Sequence, residues 1–367
     1  VDVIGFGVGE PDFDTPAHIL EATQRALVDG HTRYTSVRGI APLREAICDD
    51  SAARRGGLRH GPHEVVVSVG AKHSLFNLCF ALLGPGDEAL VPTPCWVSYP
   101  EQCELAGATA TLVETRAADG FKLTPERLTR AISPRTRALF LCSPCNPTGS
   151  AYSADELAGL AEVARAHDFW IIVDEIYATL VYGDFAQRSI LEVAPDLRER
   201  IIIVDGVSKR FAMTGFRIGW MLAPAAVASA CEVIQSQTTT SAATMCQYAA
   251  LAALRGPMEP VEQMRRSFER RRELAVSGLN GLPGVRCRMP EGAFYAFFDV
   301  SAFIGREVSG HQIDDDVQLA ELLLDEAHCA LVPGSAFFGP GHLRMSYATG
   351  EEQIERGIAR MREVLSR

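Results

Sequence analysis

Two textures alternate over the first two-thirds of the chain. Short, nearly unbroken apolar runs occur at 65–69, 88–91, 138–142, 169–173, 201–204 and 218–222. Their β-branched content suits strands buried on both faces. Between several of them the apolar positions fall at helical spacing. Residues 155–166, for example, bring Leu157, Leu160, Ala161 and Ala164 onto one face. The alternation predicts an α/β fold with a mostly parallel sheet. From about 224 the pattern turns to three helical stretches, 225–235, 241–255 and 259–279. Strands are expected at 293–299, 329–332 and 342–347, with helices at 316–327 and 350–366. This part reads as a separate, smaller α+β unit, with Pro283-Gly284 as its boundary.

Composition narrows the class. The chain has 367 residues, 47% hydrophobic and 22% charged, enough to bury a large core and too apolar for general disorder. Its formal charge is −11, which argues against a nucleic-acid partner, since that would call for a basic face. No apolar run reaches the roughly 18 residues of a membrane helix, and residues 1–9 lack a secretory pattern. The ten cysteines are scattered and read as reduced thiols of a cytoplasmic protein. One C-x-x-C is present, Cys142 to Cys145, but the second pair of a zinc ribbon is missing. No metal site is therefore expected.

Several fragments can carry chemistry. The strand Val65–Val69 runs into Gly70-Ala71-Lys72, a glycine turn that opens a helix and offers free N–H groups to a phosphate. Gly5 to Gly9 lacks the third glycine of a dinucleotide fingerprint. Ser143 to Gly149 and Asp174-Glu175-Ile176-Tyr177 follow strands, at the sheet edge where ligands bind in α/β folds. A carboxylate at a buried strand end, such as Asp174, wants a cationic partner. Ser208-Lys209 follows another strand, and a desolvated lysine there becomes an amine nucleophile. Arg217 can clamp a phosphate, and Arg344, inside an apolar strand, wants a carboxylate.

The joint order of these fragments resembles the pyridoxal-phosphate aminotransferases of fold type I, class I/II, and within them the bacterial aspartate-aminotransferase branch, subgroup Iβ. The resemblance runs from Gly9 to the C-terminus. It rests on Gly9 to Pro16, Arg33-Tyr34-Thr35, Pro85-Gly86-Asp87, Trp96 to Pro100, Asn146 to Gly149, Asp174 to Tyr177, Ser208-Lys209, Phe211 to Arg217, Gly292 to Tyr295 and Arg344 to Tyr347. It implies a seven-stranded, mostly parallel sheet in a large domain, 16–283, with 1–15 and 284–367 forming the small one. It implies that Lys209 holds the cofactor aldehyde as a Schiff base and moves the proton. Asp174 then pairs with the pyridine nitrogen, and Tyr177 and Asn146 bond the phenolate oxygen. Trp96 stacks on the ring. The backbone of Gly70, Ala71 and Lys72 holds the phosphate with Arg217 as the charged clamp, Ser208 also contacts the cofactor, and Tyr34 arrives from the other subunit of a homodimer. Arg344, helped by Asn146, Trp96 and Gly9, grips the substrate carboxylate. Cis peptides are implied before Pro94 and Pro147. The substrates are an amino acid and a 2-oxo acid, exchanged by a ping-pong mechanism.

Four positions depart from the family pattern. Glu104 matches a position where acidic-substrate members are expected to carry lysine, so a distal carboxylate is disfavoured and a cationic side chain suits the site better. Cys95, Cys145 and Arg210 also differ, which suggests altered specificity. The alternative reading is elimination, replacement, cyclisation or oxidation of an amino acid on the same scaffold.

Overall fold

The structure, a computed structural model, describes residues 2–366. Seven strands form the main sheet. From one edge they are Val65–Ser68, Gly219–Leu222, Ile201–Gly206, Trp170–Asp174, Thr136–Cys142, Glu88–Thr93 and Thr109–Glu114. All neighbours pair in parallel except Gly219–Leu222, which runs antiparallel to both its partners. The period of two explains the unbroken apolar runs. Val65, Leu139, Ile171, Val173 and Ile203 enter one core, whereas Val66, Phe140, Ile172, Ile202 and Val204 enter the other. A strand covered on both faces must be apolar at every position.

Helices cover the two faces. Helix Ala154–Arg165 buries the Leu157, Leu160, Ala161 and Ala164 face read from its spacing. Ser153 and Glu156 close its first turn as a capping box, with Ser153 N donating to Glu156 Oε2 at 2.7 Å. Elements of this region that were not anticipated include helices Ala17–Val28, Ala41–Arg54, Ser98–Leu105 and Pro125–Ala131, and the edge strand Thr109–Glu114.

A second, four-stranded antiparallel sheet runs Val332–Pro333, His342–Ser346, Tyr295–Asp299, Arg286–Cys287. Its core includes Phe298, Leu343, Met345, Ile354 and Met361, and helix Glu259–Asn280 adds Met264, Phe268 and Leu279. The expected strand 329–332 is two pieces. Cys329–Ala330 pairs in parallel with Ile4–Gly5, and Val332–Pro333 pairs with His342–Ser346. Phe6, at 0% exposure, continues this link, and its carbonyl accepts from Ser346 N at 2.8 Å. The N-terminal segment thus belongs with the second sheet before running on to the main one. Among the described residues no helix is long and apolar enough to cross a membrane.

Candidate active site

The carboxyl ends of the parallel strands, the N-terminal segment at Gly9 and the second sheet at Tyr295 and Arg344 surround a cavity of about 360 Å³. Gly9, Ala71, Lys72, Trp96, Asn146, Asp174, Tyr177, Ser208, Lys209, Arg217 and Arg344 all line it. Residues separated by most of the chain are therefore brought to one place by the strand ends.

One end of the cavity is built for an anion. Helix Ala71–Leu82 begins at Gly70, whose φ of 82° lies in the left-handed region. Its first N–H groups have no partner inside the helix. A Cβ at Gly70 would lie 2.6 Å from Arg217 Nη2, so the missing side chain lets the guanidinium sit against the turn. Arg217 is itself held by donating from Nη1 to Thr214 O at 2.9 Å.

The floor carries the carboxylate. Asp174 ends its strand opposite Cys142 and is buried. Tyr99 donates to Asp174 Oδ2 at 2.8 Å and Ile176 N to Oδ1 at 3.1 Å. Burial outweighs these bonds and pushes the Asp174 carboxyl up to about 6. Trp96 stands edge-on to Tyr99, with ring centroids 5.5 Å apart.

Lys209 donates to the Gly9 carbonyl at 2.6 Å. Burial lowers its amine to about 8. Glu10 opposes the shift, and Arg217 adds to it. Opposite, Arg344 donates from Nη1 to Asn146 Oδ1 at 2.9 Å and from Nη2 to Gly7 O at 2.6 Å. Its guanidinium lies between Tyr295 and Phe337, with its Cζ 4.6 Å and 4.7 Å from the two ring centroids. Its Nε is buried without a partner, and burial depresses its pKa. An arginine with an unsatisfied donor in an apolar slot is poised for an anionic ligand.

Tyr34 is the outlier. It is 89% exposed and borders a separate open groove with Arg33 and residues 241–245. Gly70 supports the cavity without lining it. Tyr99, Tyr295, Ile176 and Phe337 also line the cavity and were not singled out from sequence. Tyr295 shares a 2.8 Å hydroxyl contact with Tyr177. Cis peptides occur before Pro94 and Pro147, as expected, and also before Pro144.

The four departures stand off the cavity. Glu104 is exposed on helix Ser98–Leu105. Cys95 and Cys145 face a small space of about 20 Å³ behind it, and Arg210 turns towards Asp50. Glu104 is thus absent from the cavity lining of this chain. Among the described residues no three His, Cys, Asp or Glu side chains gather as a metal site.

Comparison with known proteins agrees with this arrangement. The family described as aminotransferase class I and II matches residues 1–361. An aspartate aminotransferase of Geobacillus stearothermophilus is 46% identical over 98% of this chain and 90% of its own length. An aspartate/prephenate aminotransferase of Cereibacter sphaeroides is also 46% identical, over 98% of this chain and 90% of its own. The crystal structure of the aspartate aminotransferase from Rhizobium meliloti superposes with a TM-score of 0.97. It is 41% identical and covers 100% of this chain and 92% of that one.

Proposed function

Because the chain belongs to the class I and II aminotransferases, which use pyridoxal 5′-phosphate, we propose that it transfers the amino group of a dicarboxylic amino acid, aspartate first, to a 2-oxo acid. The cavity fits the cofactor by its donor set. It offers a helix N-terminus and Arg217 for the phosphate, Asp174 for the ring nitrogen, Lys209 for the aldehyde, and Tyr177 and Asn146 for the ring oxygen. When bound, pyridoxal phosphate supplies the electron-withdrawing ring that lowers the cost of charge developing at the substrate Cα.

The chain's own residues do the rest. Trp96 covers the ring face. Arg344 binds the α-carboxylate through its donor edge, with Asn146 fixing the guanidinium plane. Lys209, with a depressed amine pKa and a carbonyl partner at Gly9, accepts the proton from Cα and returns it. Tyr295 and Phe337 wall the carboxylate slot and keep water from it.

One observation carries the substrate choice. Four cations line the cavity: Lys72, Lys209, Arg217 and Arg344. Three have tasks with the phosphate, the amine and the α-carboxylate. Lys72 makes no ion pair among the described residues, and its ammonium lies 4.8 Å from the centre of the Trp96 ring. A cation left over at the rim supports a second carboxylate on the substrate. The shared names of the relatives point the same way. Lys72→Ala should lower kcat/KM for aspartate about 10- to 100-fold, the size of a lost charge-assisted contact, and leave alanine nearly unchanged. Glu104→Gln should alter neither. Equal losses for aspartate and alanine with Lys72→Ala would reject the assignment. We further propose a homodimer in which the exposed Tyr34 completes the phosphate site of the neighbouring subunit.

A further inference from the structure

Arg210 directly follows Lys209, yet its side chain leaves the cavity. Its Nη1 donates to Asp50 Oδ1 at 2.7 Å. Asp50 also accepts from Arg54 Nε at 2.9 Å. Arg54 in turn reaches Asp205 at 2.5 Å. Arg55, with a side chain 1% exposed, lies 3.6 Å from Asp205. It donates to Glu175 from Nε at 3.0 Å and again from Nη2. Glu175 directly follows Asp174. Six charged side chains therefore run without a break from the neighbour of Lys209 to the neighbour of Asp174. Helix Ala41–Arg54 and the residue after it supply the middle of the run.

The array holds three cations, Arg54, Arg55 and Arg210, against three anions, Asp50, Asp205 and Glu175. Burying so many charges is a costly way to hold a fold together, because apolar side chains would do so without desolvation. The array is not fully satisfied, either. Glu175 Oε1 and Arg210 Nε are buried without partners. Its placement is what gives it a use. Asp205 and Glu175 both push the Asp174 carboxyl up, and Arg54 and Arg55 are paired with those same two anions.

We propose that this array positions the Lys209 loop against the Asp174 strand end and sets the electrostatic potential between them, making Arg54, Arg55 and Arg210 positioning residues of the transamination site. The inference rests on the roles given above to Lys209 and Asp174. Other groups also face these two. Tyr99 and Cys142 lie beside Asp174. Glu10, Arg217 and Arg344 act on Lys209, and His60 lies near Arg55. None of these changes in the variants below, so a shift reports the array.

The test is the pH midpoint of the visible spectrum of the holoenzyme. Arg55→Met leaves the array one charge negative, which favours protonated states, so the midpoint should rise by on the order of one pH unit. Asp50→Asn leaves it one charge positive, so the midpoint should fall. Arg55→Lys should restore the parent value. Arg210→Met, at the far end, should act in the same direction as Arg55→Met and replaces it if that variant does not fold. Midpoints that stay at the parent value, or move the same way in Asp50→Asn and the arginine variants while only Tm drops, would overturn the proposal. Lys209→Ala separates the two readings. A covalent cofactor band that survives in it refutes the role of Lys209. A band lost there, with unmoved midpoints in the charge variants, refutes the array alone.

Discussion

Replacing Asp174 by Asn should stabilise the cofactor-free protein while destroying its activity. Folding raises the carboxyl from 3.8 to about 6, chiefly by desolvation. Each unit is worth about 1.36 kcal/mol, so ionised Asp174 costs about 3 kcal/mol at neutral pH. The sign follows from linkage. The group is ionised in the unfolded chain above its ordinary value, and the folded state resists ionisation until about 6. The cost is therefore full above pH 6, shrinks as the pH falls and is gone below about 4. Asn keeps the shape and both contacts, since its carbonyl still accepts from Ile176 N and its amide can donate to the Tyr99 oxygen. At about 2.1 cal/mol/K per residue over the chain, 3 kcal/mol corresponds to a rise of about 4 °C in Tm. Thermal unfolding of the cofactor-free proteins from pH 4 to 8 measures it. The advantage of Asp174→Asn should be present at pH 7 and absent at pH 4. Added pyridoxal phosphate should stabilise the parent more than the variant, because a cationic ring nitrogen relieves the buried carboxylate. A variant no more stable than the parent at pH 7, or equally advantaged at pH 4, would refute the reasoning.

Three further outcomes are expected. Arg344→Ala should raise KM about 10- to 100-fold for amino acids and far less for amines lacking a carboxylate, which steady-state kinetics with both classes decides. In the cofactor-free protein, acylation of Lys209 followed by peptide mass spectrometry should rise through pH 8, where its amine loses its proton. A rise only near the ordinary lysine range would contradict the buried setting. Mixing Lys209→Ala chains with Tyr34→Ala chains should restore activity, because a mixed dimer has one intact site. No recovery in a verified mixed dimer would exclude sharing of Tyr34.

The parts of the fold read from sequence are those where burial acts on every residue. Strand Trp170–Asp174 announces itself as an apolar run because both its faces are covered. The edge strand Thr109–Glu114 does not, since Thr109, Leu112 and Glu114 are exposed and its pattern is mixed. Helix Ala41–Arg54 is hidden for another reason: its inward side carries Asp50 and Arg54, which look like surface residues until their partners across the fold are known. The cavity was legible where a motif names a residue, as at Lys209 and Arg344. It was not where contact depends on direction. Tyr99, three residues after Trp96, reaches Asp174, whereas Glu104 lies five residues beyond Tyr99, about 140° around the helix, and faces out. Tyr295 and Arg344 come from neighbouring strands in register, Tyr295 opposite Ser346 and Phe297 opposite Arg344. The geometry was in the strand period, but the pairing was not.

The bond between Ile4–Gly5 and Cys329–Ala330 has a consequence for biosynthesis. Gly7 and Gly9 carry the carbonyls that hold Arg344 and Lys209, so this segment, made before both sheets, cannot find its strand partner until residues 328–346 have been made. Closing a loop of nearly the whole chain is slow and entropically unfavourable. The main sheet can assemble during translation, with its lysine and its phosphate turn in place. The grip on the substrate carboxylate is among the last contacts formed, and a nascent chain that captures cofactor early would hold it in a site not yet able to select a substrate.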